Sequence, residues 1–232
     1  FIVLGALGLT NDIESVGQYP LLKNIDELIN LGPDIIIECA SSDAVKSYSK
    51  CILSKGVDLI IISVGALSDE TLYKELLLLS NKYSSKFFIP TGALAGLDAI
   101  KAAKIDGLES VFLKTTKPPN SWEGAPGVKN INLNNIKAPK VLFTGNAREA
   151  ANLFPKNANV AAALAICGVG MDNTSVQLIA DPNITNNNHR VIAKGSFGEL
   201  DVSIKAVPSV DNPKTSKLAA LSVIKQLNDL NY

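Results

Sequence analysis

Asp34-Ile35-Ile36-Ile37-Glu38-Cys39-Ala40 and Asp58-Leu59-Ile60-Ile61-Ile62-Ser63-Val64 are short, nearly continuous apolar runs, separated by the amphipathic stretch 42–55. Isoleucine-rich runs of this length read as strands buried on both faces, and strand–helix–strand alternation marks a parallel sheet. Working outward, helical patterns cover residues 24–31, stopped by Gly32-Pro33, and residues 70–82, while Lys86-Phe87-Phe88-Ile89-Pro90 reads as another strand. Ser41 or Ser42 is placed to cap the helix that Gly56 ends. In open parallel sheets ligands bind beyond the carboxyl ends of the strands. Those ends carry Ala40, Gly65, Gly92 and Ala93 here. All are small enough for backbone to approach a ligand, and each alone is equally an ordinary helix-packing residue.

Beyond about residue 106 the texture changes. Residues 110–116, 141–144, 175–180, 190–194 and 200–207 read as strands with more alternation, as in sheets with one face in water. Helices are expected at 146–153, 159–167 and 215–230, the last with Leu218, Leu221, Ile224 and Leu227 at helical spacing. Residues 118–139, rich in Pro, Gly and Asn and holding the sole tryptophan, Trp122, read as a long loop of functional or mobile character. The fold class is therefore α/β: a doubly wound parallel sheet, then an α+β domain with a largely antiparallel or mixed sheet. The expected division is 1–106, joined by the C-terminal helix 215–232, and 107–214.

Lys+Arg and Asp+Glu are equal at 22 each, which gives no electrostatic reason for a nucleic-acid or anionic-membrane partner. No apolar run has the length of a spanning helix, and Phe1-Ile2-Val3-Leu4 lacks the charged flank of a signal peptide. Cys39, Cys51 and Cys167 show no CxxC spacing and sit among apolar neighbours, so buried, reduced roles are expected, in a cytoplasmic setting. With one histidine and no acidic cluster at ligand spacing, no metal site is expected.

That histidine, His189, closes Ile184-Thr185-Asn186-Asn187-Asn188-His189-Arg190. It is either an incidental surface-loop residue or one placed for proton transfer, since its unperturbed pKa lies near neutrality. At the chain start, Val3-Leu4-Gly5-Ala6-Leu7-Gly8 keeps the spacing of the last two glycines of a dinucleotide loop, with Val3 where the first would stand. Gly5 and Gly8 are thus either cofactor-loop glycines or simply the end of a strand.

From about Ile25 to Leu227 the chain resembles the archaeal and thermophilic bacterial L-aspartate dehydrogenases. The matching stretches include Ile25-Asp26-Glu27-Leu28, Val64-Gly65-Ala66-Leu67, residues 91–100, residues 154–162, Asn188-His189, Gly195-Ser196-Phe197-Gly198-Glu199 and residues 212–222. The resemblance implies a Rossmann-like domain followed by a catalytic α/β domain, NAD or NADP as cofactor, a homodimer, and interconversion of aspartate with iminoaspartate or oxaloacetate plus ammonia. Iminoaspartate would feed NAD biosynthesis. His189 matches the family's catalytic histidine, and Ala93 and Asn159 match positions at the nicotinamide end of the cofactor. Against the family, the region before Ile25 is short by roughly a dozen residues or more, about one helix. That bears on adenine–ribose recognition and on the NAD-versus-NADP choice.

Asn157 and Asn159 are candidates to bond the nicotinamide carboxamide, and equally to cap the helix that begins near Val160. A dicarboxylate substrate needs cations or backbone donors. Lys214, before a helix opened by Thr215 and Ser216, is the first candidate, and a plain cap by Thr215 is the alternative. Arg190 and Lys156 are weaker candidates, and Asp98 reads as structural. Two competing functions stay open: a nicotinamide-dependent reductase of another small imine or oxo-dicarboxylate, and a nucleotide-binding scaffold without turnover.

Overall fold

The computed structural model describes residues 1–8, 15–16, 18–209 and 215–230; the side chains at 15, 16, 20 and 156 are outside the description. The chain divides into two units after Ile89.

The first unit contains β1 (Ala6–Leu7), β2 (Ser15–Val16), β3 (Tyr19–Leu22), α1 (Ile25–Asn30), β4 (Ile35–Glu38), α2 (Ser42–Ser54), β5 (Asp58–Ile61), α3 (Glu70–Tyr83) and β6 (Phe87–Phe88). β4, β5 and β6 form a parallel sheet in that order, as the alternating sequence predicts. In a second small sheet β3 pairs parallel with β1 and antiparallel with β2. Full burial is realised only on the central strand β5, where Leu59, Ile60 and Ile61 are at most 1% exposed. On the edge strand β4 Ile37 is 38% exposed, so the expectation of a strand covered on both faces fails there. The run 58–64 also ends early as strand, at Ile61, and turns into a 3-10 helix over Val64–Ser68. Ser41 caps α2 by accepting the Ala44 N–H, and Asp69 caps α3 by accepting those of Thr71 and Leu72. The two helices pack against each other.

The second unit holds α4 (Leu97–Asp106), β7 (Leu108–Lys117), β8 (Lys140–Asn146), α5 (Ala147–Leu153), α6 (Ala158–Cys167), β9 (Thr174–Ala180), β10 (Asn188–Gly195), β11 (Gly198–Lys205) and α7 (Lys217–Leu230). Its sheet runs β11-β10-β7-β9-β8; all neighbours are antiparallel except β7 and β9. One face is buried through Val111, Leu113, Val176, Leu178, Val191 and Ala193. α6 packs on β7 and β9 with five buried alanines, which keep the helix close to the sheet. α4 packs on α6, so the compact division lies before α4, whereas the sequence places its boundary at residue 106; α7 also clusters with this unit.

Residues 118–139 are a packed segment rather than a loose loop. Three 3-10 turns, Pro119–Trp122, Pro126–Val128 and Leu133–Asn135, wrap a fully buried Trp122, whose ring meets Phe154 edge-on at 5.6 Å. The cysteine expectation holds only for Cys167. Cys39 is exposed in the turn after β4 and Cys51 half-buried on α2, because apolar sequence neighbours there point elsewhere.

Gly127 lies against the same aromatic cluster: a Cβ there would come within 2.4 Å of the Phe154 ring. Phe154 is 1% exposed and has little room to withdraw. Gly127→Ala is therefore expected to destabilise the protein by about 1–3 kcal/mol, lowering Tm by about 2–4 °C per kcal/mol. Thermal denaturation followed by Trp122 fluorescence checks this, and an unchanged Tm would contradict the packing described.

Candidate active site

Alternation along β7 places Thr115 on the same buried face as Val111 and Leu113. β10 pairs with β7 so that His189 stands directly opposite Thr115. His189 is therefore no surface-loop residue: it is 3% exposed, and its Nδ1 lies 3.0 Å from the Thr115 hydroxyl. Its Nε2 has no partner among the described residues. Two residues beyond Thr115, Lys117 ends the strand. Its ammonium donates to Asn157 Oδ1 at 2.5 Å and lies 5.5 Å from the centroid of the Trp122 ring. The Trp122 indole N–H is buried without a partner among the described residues.

The electrostatics of this group follow from burial. Burial lowers Lys117 to about 8, and burial together with the Lys117 charge lowers His189 to about 3. The expectation that His189 titrates near neutrality is thus corrected: as placed here it is a neutral imidazole across the ordinary pH range.

Asn157 does not cap α6 with its side chain; that oxygen is taken by Lys117. Asn159 lies exposed in the first turn of α6. Gly92 has a φ of +62°, open to glycine without strain, and its N–H donates to Ser222 Oγ on α7 at 3.1 Å. Ser222 in turn donates to the Ala219 carbonyl, so the Gly92-Ala93 turn is fastened to the last helix. At the start of that helix the cap is Ser216, which accepts the Leu218 N–H at 3.2 Å, and not Thr215, which is exposed. Lys214 lies outside the described residues. Arg190 is corrected as a candidate: it points to the opposite, open face of the sheet and is ion-paired with Asp201 at 2.8 Å. Asp98 is exposed in the first turn of α4, where its charge suits the helix dipole.

In the first unit Ala40 and Gly65 follow the carboxyl ends of β4 and β5. Those ends are held by Glu38, 8% exposed, which accepts from the Ala40, Ser41 and Ser63 N–H groups and from the Ser63 hydroxyl at 2.8–2.9 Å. Gly8 follows β1, and Gly5 precedes it, packed against Leu22 and Leu31. Sequence reasoning passed over Thr115, Lys117, Glu38 and Ser222. Glu38 lies in the run 34–40 and Ser222 closes the stretch 212–222, but only the strand register or a tertiary contact reveals what any of the four does. Among the described residues no group of His, Cys, Asp and Glu could hold a metal ion, and no helix is long and apolar enough to cross a membrane.

With this geometry in hand, known proteins place the chain. Residues 98–230 match the aspartate dehydrogenase C-terminal domain, and residues 9–90 match the homoserine dehydrogenase NAD-binding domain. L-Aspartate dehydrogenase of Psychrobacter cryohalolentis is 44% identical over 205 residues, covering 88% of this chain and 78% of the relative. The enzyme of that name from Acinetobacter baylyi is 46% identical over 193 residues, covering 83% and 73%. Aspartate dehydrogenase from Thermotoga maritima superposes with a TM-score of 0.75 at 29% identity, covering 97% of this chain and 85% of that one. A hyperthermophilic archaeal homoserine dehydrogenase in complex with NADPH shares the fold at a TM-score of 0.57 and 12% identity, covering 94% and 78%.

The lowered pKa of His189 has a consequence for stability. The unfolded chain takes up a proton near the ordinary value of 6.5, while the folded chain resists until about 3. Between those values the unfolded state binds more protons, so stability is full above about pH 6.5 and falls as pH drops toward 3. NMR titration of this single imidazole is expected to show no protonation of the folded protein between pH 8 and 5, at about an order of magnitude per pH unit from its midpoint. A midpoint between 6 and 7 would contradict the burial described.

Proposed function

Because this chain belongs to the L-aspartate dehydrogenase family, we propose that it oxidises L-aspartate at Cα to iminoaspartate with NAD or NADP, and runs the reverse reduction. Hydrolysis of the imine gives oxaloacetate and ammonia. The observation that carries this reading within the site is the neutral, buried His189, fixed by Thr115 beside Lys117 and Asn157.

A nicotinamide dinucleotide fits the residues present. The strand ends at Ala40 and Gly65 are small, and the Glu38 carboxylate fixes the backbone near them through the Ala40, Ser41 and Ser63 N–H groups. Gly8 after β1, with Gly5, is assigned to the same cofactor, and Gly92, Ala93, Asn157 and Asn159 to its nicotinamide end. When bound, the nicotinamide supplies the hydride acceptor. Lys214, Thr215 and Ser216 are assigned to the substrate carboxylates.

The chain's own work is to manage protons and orientation. Substrate amine must lose a proton before its lone pair can support an imine, and Nε2 of the neutral imidazole accepts it in the tautomer whose Nδ1–H donates to the Thr115 hydroxyl. Thr115 holds the other ring nitrogen, which fixes the ring plane. At a pKa of about 3 His189 is a weak base. Substrate carboxylates bring negative charge into the same site and raise that value, as any nearby opposite charge does for an imidazolium. Base strength thus develops when the substrate is present.

We also propose a cytoplasmic homodimer that supplies iminoaspartate for pyridine nucleotide biosynthesis. The family resemblance supports this role, and the half-open outer face of the β7–β11 sheet is compatible with pairing.

His189→Asn keeps a polar group of similar reach but removes the proton acceptor. It is expected to lower kcat for aspartate oxidation by about 10²–10⁴-fold, with the KM for NAD or NADP within about twofold of wild type. Steady-state kinetics check this, and wild-type turnover in the variant would remove the assigned role.

A further inference from the structure

Lys117 is a cation whose surroundings do not balance it. Among the described residues no carboxylate forms an ion pair with it. Its ammonium has three donors and uses one, on the neutral Asn157 amide. The remaining neighbour is the face of Trp122, which attracts a cation weakly compared with an anion. An unpaired charge withdrawn from water is costly, so folded proteins either pair it or use it on a ligand. A second polar group here is also unsatisfied, the buried N–H of Trp122. Lys117 follows Thr115, which faces His189, by two residues on β7, and the Trp122 ring lies against its ammonium.

Building on the aspartate dehydrogenase reading, we propose that Lys117 receives a carboxylate of the dicarboxylate substrate and is thereby a specificity-determining residue of the site. The anion completes the ammonium's coordination where Asn157 leaves off. Asn157 is the positioning residue: its amide oxygen holds the ammonium at the start of α6. The same contact acts on His189, because a bound anion neutralises the one named charge that disfavours its protonation. Substrate binding and proton acceptance are in this way linked through a single side chain.

The test uses succinate, a dicarboxylate without an amine, titrated into the protein saturated with NAD or NADP. Lys117→Met should raise the succinate Kd by roughly tenfold to a hundredfold, the effect of losing one charge-assisted bond. The Kd for the cofactor alone should stay within about twofold. In the wild type, succinate affinity should fall as pH rises through about 8, where Lys117 loses its proton. The other groups around it do not confuse that window. His189 is already neutral, Asn157 and Trp122 do not titrate, and Asp181, bonded through its N–H to the Lys117 carbonyl, turns its carboxylate to the Asn183 N–H. A folded Lys117→Met variant with unchanged succinate Kd overturns the proposal, as does a variant that weakens cofactor instead. If the variant does not fold, the wild-type pH profile decides, and a flat profile overturns it. Aspartate turnover separates this from the family reading. Lys117-dependent succinate binding without aspartate oxidation would leave the site standing and remove the activity. Aspartate oxidation indifferent to Lys117→Met would do the reverse.

Discussion

The site depends on one register, the antiparallel pairing of β7 with β10 that sets His189 against Thr115. Side chains alternate along a strand, so a slip of one residue would carry His189 to the face now occupied by Arg190. That face is half open to water, and Arg190 there pairs with Asp201 across the next ladder. The same slip would bury a guanidinium against Val111 and Leu113 and turn Val191 out to water, which makes the register strongly specified. The proton chemistry proposed for His189 therefore rests on a ladder that apolar burial enforces.

Burial also shapes the electrostatics. Burial, with the Lys117 charge adding to it, keeps His189 neutral, and burial alone lowers Lys117 on the same sheet face. Such an arrangement is poorly balanced without an anion and suited to a substrate that carries two. In the first unit the opposite solution is used. The buried Glu38 carboxylate has four donors to itself and serves to hold backbone at the ends of β4 and β5. One buried charge is spent on architecture, the other kept for a ligand.

Much of this was legible in the chain. The run 34–40 and its successors announce a parallel sheet, and β7 to β11 announce a sheet with one wet face. A solitary histidine drew notice through the chemistry of its ring, and the resemblance gave it a role. What sequence did not carry was pairing across distance. Lys117 looks like any lysine at the end of a strand until β10 is laid beside β7, and Asn157 looks like a cap until Lys117 reaches it. Arg190, adjacent to His189 in sequence, drew attention for the same local reason and proves to lie on the other face. The tryptophan segment read as loose because Pro, Gly and Asn break regular elements, yet its 3-10 turns bury Trp122 completely.

The most direct measurement follows the hydrogen on Cα. L-Aspartate deuterated at that carbon is incubated with the protein and NAD or NADP, and the reduced cofactor is analysed by mass spectrometry and NMR. The account predicts that deuterium appears on the nicotinamide ring in step with loss of aspartate, and that glutamate and alanine deuterated in the same way transfer little. Aspartate that remains unconsumed, or a reduced cofactor without the label, would contradict it.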